Sequence, residues 1–208
     1  MIVSLCDKTG NMVKPWADAG FKCLTVDLQD AEPFRNREHV VCDVRDFVMP
    51  EGVQMVFAFP PCTDLAGSGA RWWKDKGLER LISALEVVNV CRKLCEASGA
   101  PWVIENPVGR LSSCWREPDY TFHPVHYCGY APAPETDEYT KKTCLWTGAG
   151  FVMPDRKPGE PTLGSMMHRV PPSEERQNIR SATPMGFAYA VFEANKRLTG
   201  NAMREAAE

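Results

Sequence analysis

The sequence lacks the features that would place the protein in a membrane or outside the cell. No apolar run reaches the roughly 20 residues that a membrane-spanning helix needs, and the N-terminus carries no signal-peptide pattern. The nine cysteines are scattered through strand-like and helix-like segments of a chain without a secretion signal, which favours free thiols over disulfides. We therefore expect a cytoplasmic protein that has no membrane partner.

The chain also lacks the excess of positive charge that is typical of general nucleic-acid binders, because its net charge is −3. A local basic patch is still compatible with this balance, since binding depends on where charge is clustered. Basic residues do cluster in the second half of the chain: Lys141, Lys142, Arg156, Lys157, Arg169, Arg176 and Arg180. A length of 208 residues with 44% hydrophobic content predicts one domain with a sizeable core.

The glycine-rich dinucleotide fingerprint G-x-G-x-x-G is missing from the N-terminal segment. The pattern there predicts a strand over residues 1–5, a helix over 12–19 and a strand over 21–26 that ends in Asp27, which is the first βαβ unit of a Rossmann-like sheet. The turn after the first strand keeps only Gly10, so a dinucleotide pyrophosphate is not expected. Asp27 suits ribose hydroxyls. A plain βα turn without a ligand is the alternative.

A cysteine follows a buried strand in the middle of the chain. The strand predicted over residues 55–59 runs directly into Pro60, Pro61 and Cys62. Ligands of open α/β sheets bind at the carboxyl ends of the strands, and the two prolines reduce the entropy that the loop loses on ordering. Cys62 is therefore a candidate nucleophile. The alternative is that it is a small hydrophobic residue of the core.

A carboxylate follows the next predicted strand. A helix is predicted over residues 78–98 and a strand over 101–104, and Glu105 and Asn106 come next. Glu105 lies one βα unit after Cys62 and would face the same pocket. Burial in such a pocket would raise its pKa and make it a general acid. Glu105 could instead cap a helix or form a salt bridge.

Pro60-Pro61-Cys62 followed by Glu105-Asn106 resembles the motifs of the cytosine-C5 DNA methyltransferases, and residues 141–146 resemble small phage-type members. The resemblance implies a Rossmann-like, doubly wound α/β sheet with strand order about 3-2-1-4-5 plus extra strands. It further implies that Cys62 attacks C6 of a flipped cytosine, that Glu105 donates to N3, and that S-adenosylmethionine supplies a methyl group to C5. Asn106 and Lys142 would complete the catalytic set, with Lys142 near a phosphate or cytosine O2.

The same resemblance implies where the cofactor lies. S-adenosylmethionine carries no phosphate and needs no glycine-rich turn. Asp27 would bind the ribose hydroxyls, while Asp43 and Val44 would lie beside the adenine ring. The residues implied to line the cofactor site are Cys6, Asp7, Gly10, Asp27, Leu28, Asp43, Val44, Pro60 and Thr183.

No long segment is present that could fold as a separate target-recognition domain. Residues 147–173 are a short irregular insert, rich in glycine and proline, within a single catalytic domain of residues 1–208. We therefore expect weak sequence specificity on a nucleic-acid partner, with DNA favoured, unless a second copy of the chain in a homodimer supplies the missing contacts. The alternatives are action on RNA, single strands or free pyrimidine nucleotides, transfer of a different one-carbon unit, and an inactive nucleic-acid-binding relative.

Two further groups of residues have open interpretations. Arg71, Trp72 and Trp73 could stack on bases and hold phosphates, or the tryptophans could pack under the loop as core. The residues Cys114, His123, His126 and Cys128 match no common zinc spacing, so no metal site is expected.

Overall fold

A seven-stranded, mostly parallel sheet lies at the centre of the fold. The computed structural model describes residues 1–165, 170, 173 and 176–205. The strands are β1 (Ile2–Leu5), β2 (Cys23–Asp27), β3 (Arg37–Val41), β4 (Met55–Ala58), β5 (Trp102–Pro107), β6 (Tyr120–Phe122) and β7 (Thr143–Gly148). Their order is β3-β2-β1-β4-β5-β7-β6. The first five strands are parallel, and β7 runs antiparallel between β5 and β6.

Helices cover both faces of the sheet. They are α1 (Lys14–Asp18), α2 (Trp73–Ala97), α3 (Leu111–Cys114), α4 (Arg176–Ser181) and α5 (Met185–Glu205). One buried cluster joins Phe57 and Leu145 to α1 and α5, and the other joins Ile104 to α2. Since both faces are buried, β1 and β4 are apolar at nearly every position and do not alternate with polar residues. Among the described residues, no helix combines the length and apolar character needed to cross a bilayer.

The predicted doubly wound α/β core and its strand order are confirmed, and the boundaries differ at informative places. Strand β5 extends through Pro107, so Glu105 and Asn106 lie inside the strand and not after it. The reason is that β7 pairs with β5 as far as Pro107, whereas the parallel partner β4 stops opposite Ile104. Strand β7 itself begins at Thr143, so Lys141 and Lys142 both precede it.

The insert predicted over residues 147–173 begins later than expected, because Thr147 and Gly148 complete β7. Described residues 149–164 contain neither helix nor strand. They pack along the segment before β7: the Gly129 amide donates to the Lys157 carbonyl at 3.0 Å, and the Thr140 amide donates to the Gly164 carbonyl at 2.8 Å. Residues 166–169, 171 and 172 lie outside the described residues.

Candidate active site

The loop that carries Cys62 is fixed to β5 by Asn106. The Asn106 side chain is 1% exposed, and its Nδ2 donates to the Pro60 carbonyl at 2.8 Å. Because Pro60 is two residues before Cys62, this bond ties the position of the thiol to the strand that carries Glu105. Cys62 and Glu105 are both partly buried in this structure.

The backbone after Cys62 forms a tight turn. The amides of Leu65 and Ala66 both donate to the Cys62 carbonyl, at 3.0 and 2.8 Å, and the Arg110 amide donates to the Leu65 carbonyl at 2.9 Å. Gly109 permits this approach, because a Cβ at this residue would lie 2.0 Å from the Leu65 carbonyl oxygen. The thiol is therefore held on a preorganised loop, as positioning of a reacting group requires.

A lysine shares the cavity of Glu105. Residues directly opposite each other in a sheet project to the same face, and the register pairs Glu105 with Leu145 and Pro107 with Thr143. Lys141 is two residues before Thr143, so its side chain projects to the same face of the sheet. It lines one cavity with Glu105, which we call the Glu105 cavity; its other walls include Phe59, Thr143, Thr183 and Phe187.

The cation that the sequence predicted for this position was Lys142, not Lys141. Lys142 falls on the opposite alternation and is exposed. The Lys141 Nζ donates to the Arg180 carbonyl at 2.9 Å, which ties the end of α4 to the cavity. Sequence reasoning did not assign Lys141 and Phe59 to this site. Side chains alternate between the two faces of a strand, so Lys141 projects to the same face as Thr143, and Phe59 to the same face as Phe57.

The environment of the site favours the neutral forms of the Glu105 carboxyl and the Cys62 thiol. Burial raises the pKa of the Glu105 carboxyl, and the charge of Lys141 opposes this rise. Burial also raises the pKa of the Cys62 thiol, and the proximity of Glu105 adds to it, while Lys141 and Arg180 act in the opposite direction. In this arrangement the carboxylic acid can donate a proton to a bound ligand, and the neighbouring cations can stabilise the thiolate of Cys62.

The Glu105 cavity is narrow. Its volume is about 10 Å³, room for about one water molecule. Thr183 and its neighbours cover it, and the Thr183 carbonyl accepts a hydrogen bond from Asn11 Nδ2 at 3.0 Å. Gln29 and Asn178 exchange two hydrogen bonds, of 3.2 and 3.3 Å, that hold α4 over the end of β2. A pyrimidine ring could enter only if this cover moved. Thr183, implied as a cofactor contact, therefore lies against Glu105.

Asp27 and Leu28, which the resemblance places beside the cofactor, lie at the end of β2. The Asp27 Oδ1 accepts the Gln29 amide at 2.9 Å, and the hydrogen bonds of the described residues leave Oδ2 for a hydroxyl. Leu28 is 68% exposed and offers an apolar surface beside it. Of the residues implied to line the cofactor site, these two present a carboxylate oxygen and an apolar side chain to the surface.

The turn after β1 is occupied by its own hydrogen bonds. Buried Asp7 accepts from the Ser4 hydroxyl at 2.7 Å, the Thr9 hydroxyl at 3.0 Å and the Gly10 amide at 2.8 Å. Gly10 has a φ of +69°, and a Cβ there would meet the Arg37 guanidinium at 2.6 Å. Asp7 and Gly10 thus shape the turn and do not present free polar groups to a ligand.

The remaining implied cofactor residues are also engaged within the protein. The Asp43 carboxylate accepts from the Arg45 amide at 2.9 Å and from Arg45 Nη2 at 2.6 Å, which lowers the pKa of Asp43. Val44 is 5% exposed and belongs to the core. The Cys6 Sγ lies 4.0 Å from Cys91 Sγ. Buried Pro60 contributes its carbonyl to Asn106. An adenine ring at this end would have to share Asp43 with Arg45.

Within the part of the chain that the structure describes, no group of three or more His, Cys, Asp or Glu side chains could hold a metal ion. No model of a known protein family matches the chain, and no curated protein is similar enough in sequence to count as a match. The resemblance to cytosine-C5 methyltransferases therefore depends on short motifs and on their positions, with Cys62 after β4 and Glu105 in the last half of β5.

Proposed function

We propose that this protein is a cytosine-C5 methyltransferase that uses S-adenosylmethionine and acts on DNA. The observation that carries the proposal is the proximity of three groups: Glu105 and Lys141 line one cavity, and the charges of both act on the Cys62 thiol. They lie at the carboxyl end of the parallel sheet, where ligands of such folds bind. A purely structural role would not require an acid close enough to a thiol to raise the pKa of that thiol.

A cytosine in this pocket would be activated by Glu105 and attacked by Cys62. The Cys62 thiol gives its proton to water, the Sγ–C6 bond forms and the C5=C6 electron pair moves towards C5, while Glu105 gives its proton to N3 and keeps the ring neutral. When bound, S-adenosylmethionine supplies an electrophilic methyl group for C5. The C5 proton then leaves to a base, the C5=C6 bond forms again as Sγ–C6 breaks, and the N3 proton returns to Glu105.

Lys141, Asn106 and Asp27 have supporting roles in this proposal. The Lys141 ammonium stabilises the thiolate. Asn106 is a positioning residue, because it acts through the Pro60 carbonyl. Asp27 would bind the cofactor ribose, with Leu28 beside it. Since the base must leave its stack to reach Cys62, the cover at Thr183 has to open first.

The test is transfer of a tritiated methyl group from S-adenosylmethionine to double-stranded DNA, single-stranded DNA, RNA and free deoxycytidine monophosphate in parallel. DNA should be labelled by the wild type and not by Cys62→Ser, while both proteins bind the cofactor equally, because only the thiolate is nucleophilic enough for C6. Activity of the serine variant within about tenfold of wild type would reject Cys62 as nucleophile. If only RNA or only the free nucleotide is labelled, DNA is rejected as the substrate and the labelled molecule replaces it.

A further inference from the structure

The two neighbouring tryptophans after the Cys62 turn have different environments. Trp72 is 52% exposed, and the Arg71 guanidinium lies 4.9 Å from its ring centroid. Trp73 is half-buried, and the Arg110 guanidinium lies over its ring at 3.9 Å. Trp73 is thus packed into the protein, whereas Trp72 presents an indole and a cation to the outside.

This exposed pair comes shortly after the Cys62 turn in the chain and is anchored to it. Trp72 ends a short 3-10 helix, Gly67–Trp72, which follows the Cys62 turn directly. The first turn of α2 is anchored to that turn, because Lys76 Nζ donates to the Thr63 carbonyl at 2.7 Å and lies 2.7 Å from Asp64 Oδ1. A non-helical Gly77, with φ +79°, separates this anchored turn from the rest of α2.

The chemistry of the pair fits a nucleic-acid strand. Base stacking on an exposed aromatic ring needs no sequence match, and an adjacent arginine can hold a phosphate or add a cation–π contact. The stretch 71–80 carries four basic and two acidic residues. The acidic Asp64 nearby is paired with Lys76 and lies 3.8 Å from Arg80, which leaves Arg71 beside the exposed ring.

We propose that Arg71 and Trp72 form a binding platform for the strand that carries the target base. Trp72 stacks on a base next to the one that Cys62 attacks, and Arg71 contacts a phosphate of the same strand. The position of the target base is taken from the proposed function, but binding to the platform is measurable without methyl transfer.

The experiment is fluorescence anisotropy of a labelled single-stranded oligonucleotide, titrated at several salt concentrations with the wild type, Trp72→Ala, Trp72→Phe and Arg71→Ala. Trp72→Ala should weaken binding by about 5- to 150-fold without changing the salt slope, and Trp72→Phe should restore most of the affinity. Arg71→Ala should reduce the slope of log K against log salt by about 0.7, the share of one phosphate on a single strand. Leu78→Ala is the matched control, because Leu78 is 69% exposed beyond the Gly77 kink and should bind as wild type does.

Two results would overturn the platform: wild-type affinity in Trp72→Ala, or failure of the wild type to bind any oligonucleotide. If the wild type methylates deoxycytidine monophosphate but binds no oligonucleotide, the proposed chemistry stands and the platform is rejected. If binding depends on Trp72 but no substrate is methylated, the platform stands and the proposed function fails.

Discussion

Replacement of Glu105 by glutamine tests the buried acid without any substrate. Glutamine keeps the size of the side chain but cannot ionise. Because burial raises the pKa of folded Glu105 above the ordinary value of 4.5, the folded state holds more protons than the unfolded state between those two pKa values. The free energy of unfolding of the wild type should therefore fall relative to Glu105→Gln as the pH rises through that window, by up to about 1.4 kcal/mol per pH unit. Above the folded pKa the difference should level off.

The assay is urea unfolding of both proteins from about pH 4 to pH 9, without ligands, in the range where unfolding is two-state. Glu79→Gln, a change of an exposed glutamate on α2, is the matched control and should follow the wild type at every pH. A difference between wild type and Glu105→Gln that stays constant with pH would refute the reasoning, since it would mean that Glu105 ionises alike in the folded and unfolded chain.

Three further changes separate the roles of the other site residues. Lys141→Met should lower methyl transfer by about 10²- to 10³-fold. Because the Lys141 charge opposes the rise in the Glu105 pKa, adding Lys141→Met to both the wild type and Glu105→Gln should raise the pH at which their difference in unfolding free energy levels off. Lys142→Met should have neither effect. Asp27→Ala should weaken S-adenosylmethionine binding by about 1–3 kcal/mol in calorimetry, the cost of unpaired polar groups. Asn106→Ala should leave the Pro60 carbonyl without its partner, lower the free energy of unfolding by about 1–3 kcal/mol, and reduce kcat by about 100-fold with a smaller effect on KM.

Matched control variants distinguish the loss of these specific roles from a general destabilisation of the fold. Asp30→Ala removes an exposed aspartate near Asp27, and Asn89→Ala removes an exposed asparagine of α2; both should behave as wild type. Equal effects of Lys141→Met and Lys142→Met would contradict the assignment by strand alternation. A loss of stability without a loss of kcat in Asn106→Ala would leave Asn106 with a structural role alone.

Much of the parallel core was predictable because its signals are local. The apolar runs at β1 and β4 and the polar residues that follow β2 and β4 indicate where these strands end, and the parallel pairing of β4 with β5 brings Cys62 and Glu105 to the same edge of the sheet. The extension of β5 past Ile104 was not predictable, because it depends on pairing with β7, about 40 residues later in the chain. The same pairing decides between Lys141 and Lys142, and neither residue alone carries that information.

The polar turn after β1 shows a second reason why site residues could not be predicted from the sequence. Its residue types, Asp7 and Gly10, are equally suitable for contacting a ligand and for closing a turn. Only the positions of Ser4, Thr9 and the Gly10 amide reveal that the Asp7 carboxylate is already satisfied. The helix α4 was likewise beyond sequence reasoning, because its six residues show little periodicity and its contacts with Gln29 and Lys141 come from distant parts of the chain.

The most direct test of the central claim is to trap the covalent bond between the chain and its substrate. DNA that contains 5-fluorocytosine should form an adduct that persists after methyl transfer, because fluorine at C5 cannot leave as a cation and the Sγ–C6 bond cannot then break. Peptide mass spectrometry should find the adduct on Cys62, none of it on the other eight cysteines, and none in Cys62→Ser. Methyl transfer to cytosine without any adduct, or an adduct on a different cysteine, would contradict the assignment of Cys62 as the nucleophile.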